Sequence, residues 1–238
     1  MKVLKAEAPL ALSIRPALAE SLSFRASKPL HLRAHLLRLA EGCRAMGWPS
    51  PDLKAIQAAC LKGIRASRLK AGSLRLRYWG GWEGEEPQFL VQPLALRPLP
   101  EAWKNGLRLM TSAVRHYGSA SLQGRLKANA MLPNWLASAE VQTWADDGLR
   151  LTPDGLVAEG VWSNILARKG KIVRTPPLHQ GVLEGVTRAQ LLAKFGKKYQ
   201  VKEEPLTRYD LWTADEVWVC SSLRGPLKVR EVDGRTIG

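Results

Sequence analysis

The chain is 238 residues long and carries a net charge of +15. That length suits one large domain or two small ones, and 45% hydrophobic against 24% charged residues is the balance of a soluble globular protein. No apolar run approaches the ~20 residues of a membrane span, and the basic residues are dispersed without a nucleic-acid motif, so the charge reads as a solvated cationic surface or as a means of steering a small anionic substrate.

Taken in chain order, the N-terminal apolar stretch is broken by Ser13, Arg15 and Pro16, which argues against a signal peptide. Leu32, Leu36, Leu39, Cys43 and Met46 recur at helical spacing and predict a helix over 32–46, closed by Gly47. Ser50-Pro51-Asp52 predicts the start of a second helix running to about Ser67. Strands are expected at 73–79 and 88–96, joined by a loop rich in Trp and Gly, although Pro93 weakens the second as a central strand. A domain boundary near 100–108 divides the chain into 1–105 and 106–238. A strand at 108–115 and a helix at about 130–146 follow, the helix with Trp135, Leu136, Ala139 and Trp144 as its apolar residues. Hairpin turns are expected at Asp154-Gly155, Lys169-Gly170 and Asp233-Gly234. A helix over Thr187–Phe195, a strand over 197–203, a capping box at Thr207–Asp210 and an apolar strand over 216–220 complete the chain. Strands and helices thus alternate in both halves. The three cysteines, Cys43, Cys60 and Cys220, are too far apart to suggest a disulfide framework or, with the four histidines, a metal site; they read as reduced thiols in a cytoplasmic protein.

Residues 151–188 are the most informative for chemistry. Glu159 closes a short apolar strand, where a lone carboxylate needs a partner. Gly185-Val186-Thr187-Arg188 opens a helix whose unpaired N–H groups and dipole suit an anion. One ligand with a protonated ring nitrogen and a phosphate would satisfy both.

Six segments carry a resemblance: HLLRL at 35–39, LKANAML at 126–132, DGLVAEGVWSNI at 154–165, TPPL at 175–178, LEGVTR at 183–188 and ADEVWVCSS at 214–222. Their order and spacing resemble the fold-type IV family of pyridoxal 5'-phosphate (PLP) enzymes, which includes 4-amino-4-deoxychorismate lyase, D-amino-acid aminotransferase and branched-chain aminotransferase. The resemblance implies a mixed α/β (α+β) two-domain fold with the active site between the domains, a PLP cofactor and a homodimer. It implies that Lys127 is the Schiff-base lysine, an amine able to pass from cofactor to substrate carbon. It implies that Glu159 keeps the pyridine nitrogen protonated, since an opposite charge favours the charged form. Arg38 would grip the phosphate with its guanidinium fork. Val186 and Thr187 would supply backbone N–H groups and a hydroxyl to the same phosphate, joined by Ser221 and Ser222, where relatives carry a Gly-Thr pair. Asn164 would give structural support.

Three departures from the family pattern concern substrate recognition and chain edges rather than the cofactor set. Only Ala19-Glu20-Ser21 stands near the family's Gly-Phe-Glu run. The Arg-x-His pair that D-amino-acid aminotransferases use for the substrate carboxylate is absent from the region of Tyr78–Glu83. Relatives also continue past VDGRTIG into a helix. The pattern lies nearest to the lyase, which converts 4-amino-4-deoxychorismate to 4-aminobenzoate and pyruvate. An aminotransferase for branched-chain or other L-amino acids is the alternative, and a non-catalytic anion-binding protein on the same scaffold a remote one.

Overall fold

The computed structural model describes residues 2–3, 15–80, 86–119, 121–129 and 131–238. Residues 4–14, within the stretch read for a signal peptide, and 81–85 of the Trp-Gly loop lie outside the described residues. The chain divides into two compact units, one of Met1–Pro98 with Leu126–Ala130 and the other of Leu99–Arg125 with Met131–Gly238.

The first unit contains β1 (Lys2–Val3), β2 (Leu18–Arg25), β3 (Lys28–Pro29), α1 (Leu32–Ala45), α2 (Leu53–Ala66), β4 (Ala71–Trp79) and β5 (Gln88–Leu94). The strands form one sheet in the order β1-β5-β4-β2-β3. Alternation along β2 turns Leu18, Leu22 and Phe24 inward, where they meet Leu36, Leu39 and Cys43 of α1 and Ile56, Cys60 and Ile64 of α2. Each large side chain buried this way contributes about 1.5–3 kcal/mol before cavity effects. The predicted stripe of α1 is buried through Cys43, but Met46 falls past the helix end and is exposed. The cap of α2 is Asp52, whose carboxylate accepts the Ala55 N–H at 2.9 Å, so this helix starts at Leu53, two residues beyond the expected Pro51. Among the described residues the outer neighbour β1 pairs with Gln88 and Phe89 and not with Pro93, whose missing N–H is tolerated there.

The second unit contains β6 (Leu107–Thr111), α3 (Leu132–Val141), β7 (Asp147–Leu151), β8 (Val157–Gly160), β9 (Asn164–Lys169), β10 (Ile172–Thr175), α4 (Val186–Phe195), β11 (Gln200–Glu203), α5 (Arg208–Trp212), β12 (Glu216–Ser221), β13 (Gly225–Val232) and β14 (Arg235–Thr236). Its sheet runs β11-β10-β9-β12-β13-β6-β7-β8, with β14 on β13. The Asp233-Gly234 turn has both residues at positive φ, the geometry that suits a tight hairpin. The β9–β10 hairpin turns on Gly170-Lys171, one residue later than expected, with Lys169 paired to Ile172. Thr207 and Asp210 form the expected reciprocal capping box.

Helix α3 departs from its predicted face. It ends at Val141, and it buries Asn134, Ala137 and Val141 while Trp135, Leu136 and Trp144 lie exposed. A polar residue sets this face: the Asn134 amide donates to the Val161 carbonyl and accepts from Arg150 at 3.1 Å. Strand β7 is buried at all five positions, including the charged Asp147 and Arg150.

Candidate active site

Glu159 is the third residue of β8, a strand buried throughout. Two donors and an imidazole hold its carboxylate. Oε2 accepts from the Asn164 side-chain amide at 3.1 Å and from the Leu183 backbone N–H at 3.2 Å, and Oε1 lies 3.1 Å from Nε2 of His116. The turn from β8 into β9 permits this. A Cβ on Gly160 would stand 2.3 Å from Ser163 Oγ and 3.2 Å from Ser163 O, so a larger residue would displace the Ser163 side chain and crowd the turn that brings Asn164 beside Glu159.

Asn164 also links Glu159 to the helix start. Its amide donates to the Leu183 carbonyl at 2.9 Å, and a Cβ on Gly185 would stand 1.9 Å from its Oδ1. Gly185 caps α4 with extended backbone and no side-chain cap, and α4 carries no acidic residue in its first turn. The N–H groups of Val186 and Thr187 therefore open the helix with no carboxylate in its first turn. Thr187 Oγ1 and Ser222 Oγ lie 3.2 Å apart, and Ser221 ends β12 immediately before Ser222. The arginine of the same motif is structural. Arg188 is buried and donates to Pro176 O and to Glu203 Oε2 at 3.0 and 2.8 Å.

The remaining two expected site residues lie in the first unit. Lys127 is half-buried, and its backbone carbonyl accepts the Ala19 N–H at 2.7 Å. Asn129 fixes the same segment, with Oδ1 accepting the Ala17 N–H at 2.9 Å and its own N–H donating to Ala17 O at 2.8 Å. Arg38 is forked onto Glu20, donating from Nε to Oε1 at 2.8 Å and from Nη2 to Oε2 at 2.6 Å. His35 Nδ1 lies 2.6 Å from the same Oε2. Burial pushes the Glu20 carboxyl up, but Arg38 and His35 outweigh it and hold it down at about 2.

Four polar residues of these clusters were not singled out from sequence: Glu20, His35, His116 and Arg150. Glu20 had a signal, since it shares the inward face of β2 with Leu18, Leu22 and Phe24. His35 also lies on the buried face of α1. His116 stands outside any helix or strand and had no pattern to give it away. Arg150 pairs across the sheet with Glu159; burial lowers its proton affinity and the Glu159 charge raises it. The three cysteines are free and buried, and burial pushes their thiols up to about 11 for Cys43 and about 12 for Cys60 and Cys220, as expected of inert thiols. Among the described residues no cluster of His, Cys, Asp and Glu is arranged to hold a metal ion, and no helix is long and apolar enough to cross a membrane.

The pattern described as amino-transferase class IV matches residues 17–232. The chain belongs to this family. It is 30% identical to a solved 4-amino-4-deoxychorismate lyase from Pseudomonas aeruginosa, with a TM-score of 0.86 over 98% of this chain and 90% of that one. It is 25% identical to the branched-chain amino acid aminotransferase of Escherichia coli, with a TM-score of 0.87 over 98% of this chain and 84% of that one. A branched-chain-amino-acid aminotransferase of Pseudomonas aeruginosa is 31% identical over 74% of the chain, which spans about half (53%) of that relative's length. The expected mixed α/β fold and the membership of a PLP-enzyme family stand.

The donor chemistry fits PLP. A buried carboxylate anchored by two donors with an imidazole beside it suits a pyridinium, and an uncapped helix start beside two hydroxyls suits a phosphate.

Proposed function

We propose that the chain is a PLP-dependent lyase that converts 4-amino-4-deoxychorismate to 4-aminobenzoate and pyruvate. The observation that carries this reading is the similarity to the Pseudomonas aeruginosa lyase, which spans 98% of this chain and 90% of that one at 30% identity. The charge of +15 supports it, since a cationic surface favours the approach of a dicarboxylate.

In this reading Lys127 would hold the cofactor through its Nζ amine and, once the substrate's amino group is bound, would act as the base. Glu159 holds the proton on the pyridine nitrogen. The N–H groups of Val186 and Thr187, the hydroxyls of Thr187, Ser221 and Ser222, and the guanidinium of Arg38, braced by Glu20, bind the phosphate. Bound PLP supplies an electron sink for the charge left on a deprotonated carbon. Freed Lys127 then removes the proton from the amino-bearing ring carbon. The electron pair would expel the enolate of pyruvate by β-elimination, the ring would become aromatic, and the proton taken by Lys127 would return to the enolate carbon to give pyruvate.

The 31% identity to a branched-chain aminotransferase favours a second reading, in which the same residues act and Lys127 passes the substrate proton to the cofactor instead. One experiment separates the two. The purified, PLP-loaded protein is given 4-amino-4-deoxychorismate in one vessel and L-leucine with 2-oxoglutarate in another. The proposal expects 4-aminobenzoate and pyruvate in equal amounts from the first. Glutamate from the second, with no 4-aminobenzoate from the first, would establish the aminotransferase.

A further inference from the structure

An ionised carboxylate offers about four lone-pair positions. On Glu159 the described residues take three: two on Oε2 by Asn164 and the Leu183 N–H, and one on Oε1 facing His116. The open position is therefore on Oε1, and His116 decides where Oε1 points.

His116 is itself held on several sides. Its backbone N–H donates to Leu151 O at 2.8 Å, and its Nδ1 lies 3.1 Å from Tyr117 O. The residues before it are clamped by Arg150, which donates from Nη2 to Arg115 O at 2.6 Å and from Nε to Val114 O at 3.4 Å. The Arg150 guanidinium also lies 5.7 Å from the centre of the Tyr117 ring. Past the imidazole, a Cβ on Gly124 would stand 3.0 Å from His116 Cε1 and 1.9 Å from Gly181 O, so the loops close on the ring. Arg150 in β7 and Glu159 in β8 are cross-strand partners. One strand pair thus carries both the carboxylate and the clamp for the histidine that meets it.

The contact with Oε1 is favourable only if a proton lies in it. A bare Nε2 would set one lone pair against another at 3.1 Å, and a bare Nδ1 would do the same against Tyr117 O, so in a ring with one proton the carboxylate, the charged and stronger acceptor of the two, takes it.

We propose that His116 is a positioning residue for Glu159: its Nε2–H fixes Oε1 and leaves one Oε1 position for the pyridine N–H, while Arg150 holds the loop that carries the imidazole. The inference rests on reading Glu159 as the partner of the pyridine nitrogen. It assigns His116 no contact with cofactor or substrate.

The test uses the full-length protein and two substitutions. A glutamine at 116 can present an amide N–H close to where Nε2 stands, whereas a leucine fills similar space and donates nothing. Nitrogen-15 NMR of the PLP-free wild type is expected to show Nε2 of His116 protonated. On loading with PLP, His116→Leu is expected to weaken cofactor binding or lower kcat by about ten- to a hundredfold, the size of one hydrogen bond to a charged group, and His116→Gln to recover most of that loss. A proton on Nδ1 alone, or equal losses in Leu and Gln variants of unchanged thermal midpoint, would overturn the proposal. If the wild type takes up no PLP, the functional reading fails, and the NMR result still decides whether His116 donates to Glu159.

Discussion

Glu20 and Glu159 are both buried carboxylates with a histidine against them, and they are balanced in opposite ways. Glu20 receives a fork from Arg38 and a contact from His35, all at 2.6–2.8 Å, and charge meets charge directly. Glu159 receives an amide, a backbone N–H and a histidine at 3.1–3.2 Å. The nearby cation, Arg150, spends its hydrogen bonds on Val114 O, Arg115 O and Asn134 Oδ1 instead of on Glu159. A carboxylate forked by a guanidinium has its charge matched within the protein, whereas one oriented by weaker donors, with the nearby cation hydrogen-bonded elsewhere, keeps capacity for a further positive partner.

The comparison is broken most forcefully at Glu20. Replacing it with alanine leaves Arg38 buried without its counter-charge, and a loss of about 3–5 kcal/mol of unfolding free energy is expected in urea titrations. A loss under 1 kcal/mol would show that the pair contributes little. Acid sharpens the same contrast. The Glu20 carboxyl is held at about 2 against an ordinary 4.5, so its stabilisation is complete above pH 4.5 and disappears as pH falls from 4.5 towards 2, about 3 kcal/mol in all. Asp147 behaves in the opposite sense. Burial pushes it up to about 6, against the hydrogen bond from Ser163 and the charge of Arg224, so its ionised form costs stability above pH 6 and that cost is relieved as pH falls towards 3.8. The two contributions together should therefore rise as pH falls from about 6 to about 4.5 and then fall, and Asp147→Asn should flatten the rise while leaving the fall.

A smaller expected change in free energy distinguishes Glu159. Glu159→Gln keeps the acceptor for Asn164 and the Leu183 N–H, so its unfolding free energy should stay within about 1 kcal/mol of the wild type. Its kcat should drop by about a hundredfold or more, because a neutral amide cannot hold the pyridine proton. Equal activity in the two proteins would remove Glu159 from the chemistry.

The contrast also marks what could be read from the sequence. Glu159 was legible because it closes a short apolar strand and is followed by Gly160 and Asn164, residues that make sense only around a tight turn. Stripe α1 was legible because a helix packed on a sheet buries one face at 3.6-residue spacing, and Leu32, Leu36, Leu39 and Cys43 keep it. Helix α3 misled because its aromatic residues suggested the buried face, whereas the acceptors and donors around Asn134 determine which side turns in. Arg150 was hidden by its own strand. The run Leu149-Arg150-Leu151 reads as an inward–outward alternation, yet all three residues are buried. His116 lies in a loop, where no periodicity reports on partners that come from β8 and from 35 or more residues along the chain.

The central claim is that Glu159 holds a proton on the ring nitrogen of bound PLP. Nitrogen-15 NMR of protein loaded with ring-labelled PLP tests it directly: the account predicts a protonated pyridine nitrogen in the wild type and an unprotonated one in Glu159→Gln. An unprotonated nitrogen in the wild type, or the same signal in both proteins, would contradict it.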